Sequence, residues 1–296
     1  MSATSIGIGL ATVATVAVAI QSLAVRLGTR TRTVTDVVAV IFAINLAVLV
    51  PATTILYGDD LGLTPMSTAA FAAGGILGSL LARFALFVGI ERLGASRAEP
   101  LKSTFPLVAV VGAVVWLRES LTPSLIAGVA LLVGGAVAVS WDARASPATA
   151  AGRRALADLR FPLAAALVLG IDPIFTAVGL GAGTPSLVGV TVRVLAAAAA
   201  FGLYLGWRRL RSGRRLRVGR NRWLALAGLA NTVYLGAYLA ALDRAPVSVV
   251  APILGASPLV VLVGSALFVQ SEERVTVRLG AAVAVLVVGV VLVLRG

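Results

Sequence analysis

Residues 85–139 read ALFVGIERLGASRAEPLKSTFPLVAVVGAVVWLRESLTPSLIAGVALLVGGAVAV, and residues 237–293 read AYLAALDRAPVSVVAPILGASPLVVLVGSALFVQSEERVTVRLGAAVAVLVVGVVLV. The second stretch is a divergent copy of the first. Glu91/Asp243, Arg92/Arg244, Pro100/Pro252 and Pro106/Pro258 lie 152 positions apart, whereas Glu119/Glu273, Thr122/Thr276, Leu125/Leu279 and Gly135/Gly289 lie 154 apart. One two-residue insertion reconciles the registers. Each copy closes a half of about 145 residues made almost wholly of apolar runs of membrane-spanning length. The chain therefore reads as a duplicated membrane bundle, the usual build of a transporter.

Composition points the same way. The chain is 59% apolar and 12% charged, against roughly 25% charged in soluble domains, and its mean hydropathy is +1.02. It contains no Cys and no His, so disulfides, thiolate metal sites, cysteine nucleophiles and the commonest general base are all excluded. Neither a metal site nor a cofactor is expected. The net charge of +13 would suggest nucleic acid in a soluble chain. Here the charges sit in short loops between apolar runs, which fits a membrane face and not a nucleic-acid partner.

Ten runs approach the roughly 20 residues a spanning helix needs: 4–25, 35–57, 68–90, 98–117, 122–140, 161–181, 186–206, 223–242, 246–269 and 276–294. The predicted fold is all-α, with a first repeat over 1–141, a polar linker over 142–160 and a second repeat over 161–296. An odd number of spans per half makes the second half enter the membrane from the opposite side. The halves are thus expected to be inverted repeats. Loops after odd-numbered spans carry Arg26, Arg30, Arg32, Arg92, Arg97, Arg144, Arg153, Arg154, Arg160, the cluster from Arg208 to Arg222, Arg274 and Arg278, against Arg118, Arg244 and Arg295 on the other face. Positive charge stays inside, so both termini are expected outside. Without a basic segment ahead of it, span 1 is expected to be retained and not cleaved as a signal peptide.

These residues carry a resemblance. The Glu99-Pro100 to Pro106 stretch is echoed by Ala251-Pro252 to Pro258, the hairpin Glu119-Ser120-Leu121-Thr122 by Glu273-Arg274-Val275-Thr276, and both copies close with a glycine-bearing helix. In these features the chain resembles the ten-helix branch of the drug/metabolite transporter superfamily, with two EamA-type repeats. The resemblance implies export or exchange of small metabolites through a central cavity between the halves. Helix 1 lacks the Trp-Gly pair often seen there, and Asp59 and Asp60 stand where many relatives are basic.

Polar residues inside spans are costly and mark cavities, partners or function. Arg83 and Arg193 lie deep in spans 3 and 7, as substrate or gating contacts or as structural pairs. Asp172, ahead of Pro173 in span 6, is a candidate proton-coupling carboxylate or the partner of one of those arginines. Lys102 is the only lysine among 25 basic residues. It reads as an anion-binding ammonium beside Arg83, or as a snorkelling side chain paired with Glu99 one turn earlier; Glu99 is the second candidate for proton coupling. Asn231, Tyr234 and Tyr238 share one helical stripe, with Asn45 and Gln21 as partners for a ligand or for interhelical hydrogen bonds. Pro100, Pro106, Pro252 and Pro258 are read as helix-bending devices.

The function expected is a secondary transporter in the cell membrane, multi-pass, moving a small polar metabolite with an anionic or zwitterionic group by alternating access, as a monomer or homodimer. Two other readings stand beside it: a membrane-embedded enzyme acting on a lipid carrier, disfavoured by the missing His and Cys, and a non-transporting partner subunit.

Overall fold

The computed structural model describes residues 3–58, 60–105, 107–108, 122–145, 157–212, 216, 221–242, 244–245, 250, 253–269 and 275–295. The helices in chain order are α1 (Ala3–Gly28), α2 (Val34–Tyr57), α3 (Pro65–Gly74), a π-helical segment (Gly75–Ala82), α4 (Arg83–Leu93), α5 (Ala95–Lys102), α6 (Pro123–Ala145), α7 (Arg160–Gly181), α8 (Ser186–Ser212), α9 (Arg222–Leu242), α10 (Ser257–Phe268) and α11 (Val277–Arg295). Among the described residues there is no strand. Helices α1, α2, α7, α8 and α9, and the continuous run Pro65–Leu93 that joins α3 to α4, are each long and apolar enough to cross a membrane.

Local sequence explains several ends. Thr33 and Asp36 form a capping box at the start of α2, and Thr64 and Ser67 form another at the start of α3, where Pro65 occupies the first turn. These reciprocal bonds satisfy backbone donors that have no helical partner. Because of its box, the third span begins at Pro65 and not at the expected 68.

Spans 4 and 9 differ from the single bent helices expected. Helix α5 stops at Lys102, and Thr104 and Phe105 donate their amides to the carbonyls of Leu101 and Lys102 in tight turns. The equivalent interruption in the second half falls at Ala256, whose amide bonds Ile253 O, and α10 then starts with Pro258 in its first turn. In the 152-residue register Ala256 is the counterpart of Thr104. The cause is local: a proline has no amide to donate and crowds the preceding turn, so the chain breaks just ahead of it. Pro100, by contrast, sits inside α5 without interrupting it. Pro106, Pro252, Glu119 and Asp243 lie outside the described residues, as do 109–117 of the expected span 4 and 246–249 and 251–252 of the expected span 9.

Packing repeats as the sequence does. Helix α6 packs along α11, and α2 meets α8, each pairing a span with its own counterpart. The contact of α1 with α9 is matched by that of α7 with the run Pro65–Leu93. Likewise α2 on α9 is matched by α8 on the same run, and α1 on α10 by α7 on α5. Exchanging the two halves thus maps these helix contacts onto one another, as a pseudo-two-fold requires.

The exposure pattern is that of a lipid-facing protein. Leu203 is 78% and Ile174 62% exposed, while Asn45, Glu99 and Asn231 are fully buried. Apolar surface faces outward because lipid tails solvate it, and polar groups turn inward to find partners.

One charged contact joins three chain segments at a single end of the bundle. Arg97 donates from Nε (3.0 Å) and Nη2 (2.7 Å) to Asp142 Oδ2, and Thr276 donates to Asp142 Oδ1 at 2.7 Å. The two charged side chains are only 6% and 9% exposed. Asp142→Ala is therefore expected to break a buried ion pair and cost about 3 kcal/mol, several times the effect of Thr276→Val, which removes one hydrogen bond worth about 1 kcal/mol. Unfolding temperatures of the purified variants check the order; equal effects would show that the pair contributes nothing beyond the hydroxyl.

Candidate functional site

The described cavity lies among the Pro65–Leu93 run, α7, α8 and α9, and has a volume of about 70 Å³. That is room for a handful of water molecules or a ligand of few heavy atoms. Its polar lining consists of Ser79, Arg83, Asp172, Thr176, Arg193, Tyr234 and Tyr238, on apolar walls that include Phe71, Leu169 and Val190.

Arg193 is the most densely bonded of these groups. From α8 its Nη2 donates to Asp172 Oδ1 at 2.5 Å, its Nη1 to Thr176 Oγ1 at 2.5 Å, and its Nη2 also reaches Gly74 O at 3.3 Å. Asp172 and Thr176 are one turn apart on α7, so one guanidinium spans both. Glycines make the approach possible. A Cβ at Gly75 would overlap the Arg193 backbone, and one at Gly78 would stand 2.5 Å from Asp172 Oδ1. Both belong to the π-helical segment, a rare conformation that occurs mostly as short insertions within α-helices and often at functional sites.

Arg83 follows directly as the first residue of α4. Its Nη1 donates to Asn231 Oδ1, and the same oxygen accepts from Asn45 Nδ2 at 2.9 Å. Asn231 Nδ2 reaches Gln21 Oε1 at 3.4 Å, while Thr232 donates to Asn45 Oδ1 at 2.8 Å. Helices α1, α2, α4 and α9 are thereby tied by amide groups behind the cavity wall, with Arg83 as the member that lines the cavity. Tyr234 and Tyr238, on the next turns of α9, stack with centroids 5.8 Å apart and planes at 7°.

The sequence-derived candidates separate into three sets. Arg83, Asp172, Arg193 and Tyr234 line one cavity. Gln21, Asn45 and Asn231 support Arg83 from behind it. Lys102 and Glu99 do neither among the described residues: Lys102 Nζ donates to Glu99 Oε2 at 2.6 Å, and the other carboxylate oxygen accepts from Ser22 on α1. Arg83 lines the described cavity and Lys102 is not among its lining residues. The Lys102 charge is matched by the Glu99 carboxylate one turn away. Asp172 likewise pairs with Arg193 and not with Arg83. Sequence reasoning passed over Ser79 and Thr176; the four-residue spacing of Asp172 and Thr176, and the glycine beside Ser79, were the available signals.

The close approach of α8 to the π-helical segment gives a direct test. Gly75→Ala is expected to cost about 1–3 kcal/mol through overpacking against the Arg193 backbone. Gly236→Ala on α9, whose Cβ would meet nothing within 4 Å, is expected to be neutral or stabilising by up to about 1 kcal/mol through helix propensity. Melting temperatures of the two purified variants measure the contrast, and a harmless Gly75→Ala would refute the contact.

Comparison with known proteins gives the fold and the family. A solved structure described as "Crystal structure of protein" aligns with a TM-score of 0.64 over 98% of this chain and 95% of that one, at 20% identity. That likeness establishes a shared fold. No curated protein matches the chain. The family model described as the EamA-like transporter family matches twice, over residues 5–141 and 159–295. With both halves matched, and polar groups gathered inside a lipid-facing helical bundle, the chain belongs to the EamA-like transporter family, a family of multi-pass membrane transporters of small molecules.

Proposed function

We propose that this protein is a secondary transporter of the cell membrane that moves a small polar metabolite, by export or exchange, through alternating access. The observation that carries the reading is the cavity itself. A guanidinium, an ion pair and two phenols face a cavity of about 70 Å³ inside a bundle whose outer surface is apolar. Such groups are expensive within a membrane and persist where a solute uses them.

The repeats supply the movement. The interruptions at Ser103–Phe105 and Ala256 occupy equivalent places in the two halves, so the halves can rock about the cavity with matching bends. The polar contacts at the helix ends would make and break in turn. One end is tied by Arg97, Asp142 and Thr276. Elsewhere, Thr184 ahead of α8 donates to Gly62 O at 2.7 Å, and Thr53 lies 2.6 Å from Thr191 between α2 and α8. Asp172 is the group suited to proton coupling, because protonation would release Arg193 from it.

A saturable flux of solute into sealed vesicles by the purified chain alone is the expected outcome, using amino acids, nucleosides, sugars and organic acids as the panel. Flux that appears only when a second chain is added would favour the partner-subunit reading, and turnover of a lipid-linked substrate without flux would favour the enzyme. Asp172→Asn is expected to abolish pH-dependent accumulation while sparing counterflow. Unchanged pH dependence would remove Asp172 from the coupling.

Orientation is testable independently, because the native chain has no cysteine to interfere. In intact cells a cysteine introduced at Gly296 is expected to react with an impermeant reagent and one at Gly213 to be protected. The opposite pattern would reverse the topology.

A further inference from the structure

We infer that the cavity is a site for a small organic monoanion with one carboxylate, held by Arg83, a deepening of the transport reading that rests on that cavity being the substrate site. The charge balance carries the argument. Three side chains of fixed charge line the cavity: Arg83, Asp172 and Arg193. Asp172 and Arg193 lie 2.5 Å apart and cancel. Arg83 has no carboxylate partner among the described residues; its hydrogen bond there goes to the neutral amide oxygen of Asn231, which Asn45 also occupies. One positive charge is left over at the wall of a low-dielectric cavity, and one negative charge on a ligand neutralises it.

Donor chemistry agrees with the charge. The guanidinium carries five N–H donors in a planar fork that suits the two oxygens of a carboxylate. One of its nitrogens is engaged with Asn231. The hydroxyls of Ser79, Tyr234 and Tyr238 line the same space, and none makes a hydrogen bond among the described residues. Each of these hydroxyls can donate its proton to a carboxylate, which offers acceptors only, as can the remaining guanidinium N–H groups of Arg83. A zwitterion could set its ammonium on the second oxygen of Asp172, but would leave the cavity with a net charge of +1. A dianion would leave −1, and a neutral solute would leave Arg83 unmatched. The stacked ring faces of Tyr234 and Tyr238 and the apolar walls suit a short hydrocarbon part.

A ligand series of one carbon skeleton tests the inference. The purified full-length chain is melted in propionate, alanine and propionamide, and also in succinate, all at matched ionic strength. Propionate is expected to raise the melting temperature saturably, as a ligand of the folded state does, with the other three weaker. Arg83→Gln is expected to weaken propionate binding about tenfold or more. Arg244→Gln, which removes an exposed cation bonded to Ala240 O, should leave it unchanged. The proposal is overturned if alanine, propionamide or succinate stabilises as well as propionate, if none of the four stabilises, or if Arg83→Gln binds propionate normally. The wild-type series decides the matter even where Arg83→Gln fails to fold, and Arg83→Lys, which keeps the charge and loses the fork, supplies a second variant with intermediate binding. Saturable propionate binding with no flux of any solute would keep this site and remove the transport reading. Flux of a neutral solute without anion binding would do the reverse.

Discussion

A polar side chain inside a lipid-solvated bundle must meet another polar group, and this requirement shapes the protein more than any apolar contact does. Lipid tails solvate Leu203 or Ile174 as well as a protein interior would, so apolar burial gives the helices little reason to choose one neighbour over another. The choice falls to the amides and charges. Gln21, Asn45 and Asn231 bind α1, α2 and α9 together, and Arg193 binds α8 to α7 and to the end of α3. Arg83 closes the gap between these two groups. It belongs to the amide cluster by its hydrogen bond and to the cavity by its exposed face.

Symmetry governs the backbone but not the charges. Helix contacts exchange between halves, and both fourth spans break at matching residues. Yet where the first copy carries Arg97, Glu99 and Lys102, the second carries Val249, Ala251 and Leu254. The fold needs helices of equal length that bend at equal places, a demand that prolines and small residues meet in either copy. Charged contacts are not needed twice. The Arg97–Asp142 pair and the Glu99–Lys102 pair have no charged counterpart at the matching positions 249, 251 and 254 of the second copy.

The π-helical segment links that architecture to the cavity. It packs glycine backbone directly against the Arg193 backbone and turns Ser79 and Arg83 toward the same space. A regular α-helix across Gly75–Ala82 would present these residues at other angles, because an added residue in the turn rotates everything that follows. The small residues that allow this contact and the arginine that uses it are adjacent in sequence. Packing and chemistry are therefore hard to change separately here.

What the sequence determined by itself was the class, the duplication and the cast of residues. Hydropathy and run length identify a membrane bundle because the bilayer imposes them on every span; the prolines were legible as places of bending, but that spans 4 and 9 break at 103–105 and 256 was not, since Pro100 sits inside α5 without interrupting it. The rarity of polar residues in the spans singled out Arg83, Asp172, Arg193, Asn231 and Tyr234, since each carries its cost wherever it lies. Which of them meet was decided only in three dimensions. Helical period tells which face a residue occupies, not which helix faces it, so the sequence left Asp172 free to pair with either arginine and Lys102 free to join Arg83. Tertiary structure gave Asp172 to Arg193, because glycines at 74, 75 and 78 let α8 approach, and Lys102 is paired with Glu99 one turn earlier on its own helix. The unmatched charge of Arg83 follows from those two assignments, which depend on distances between helices far apart in the chain.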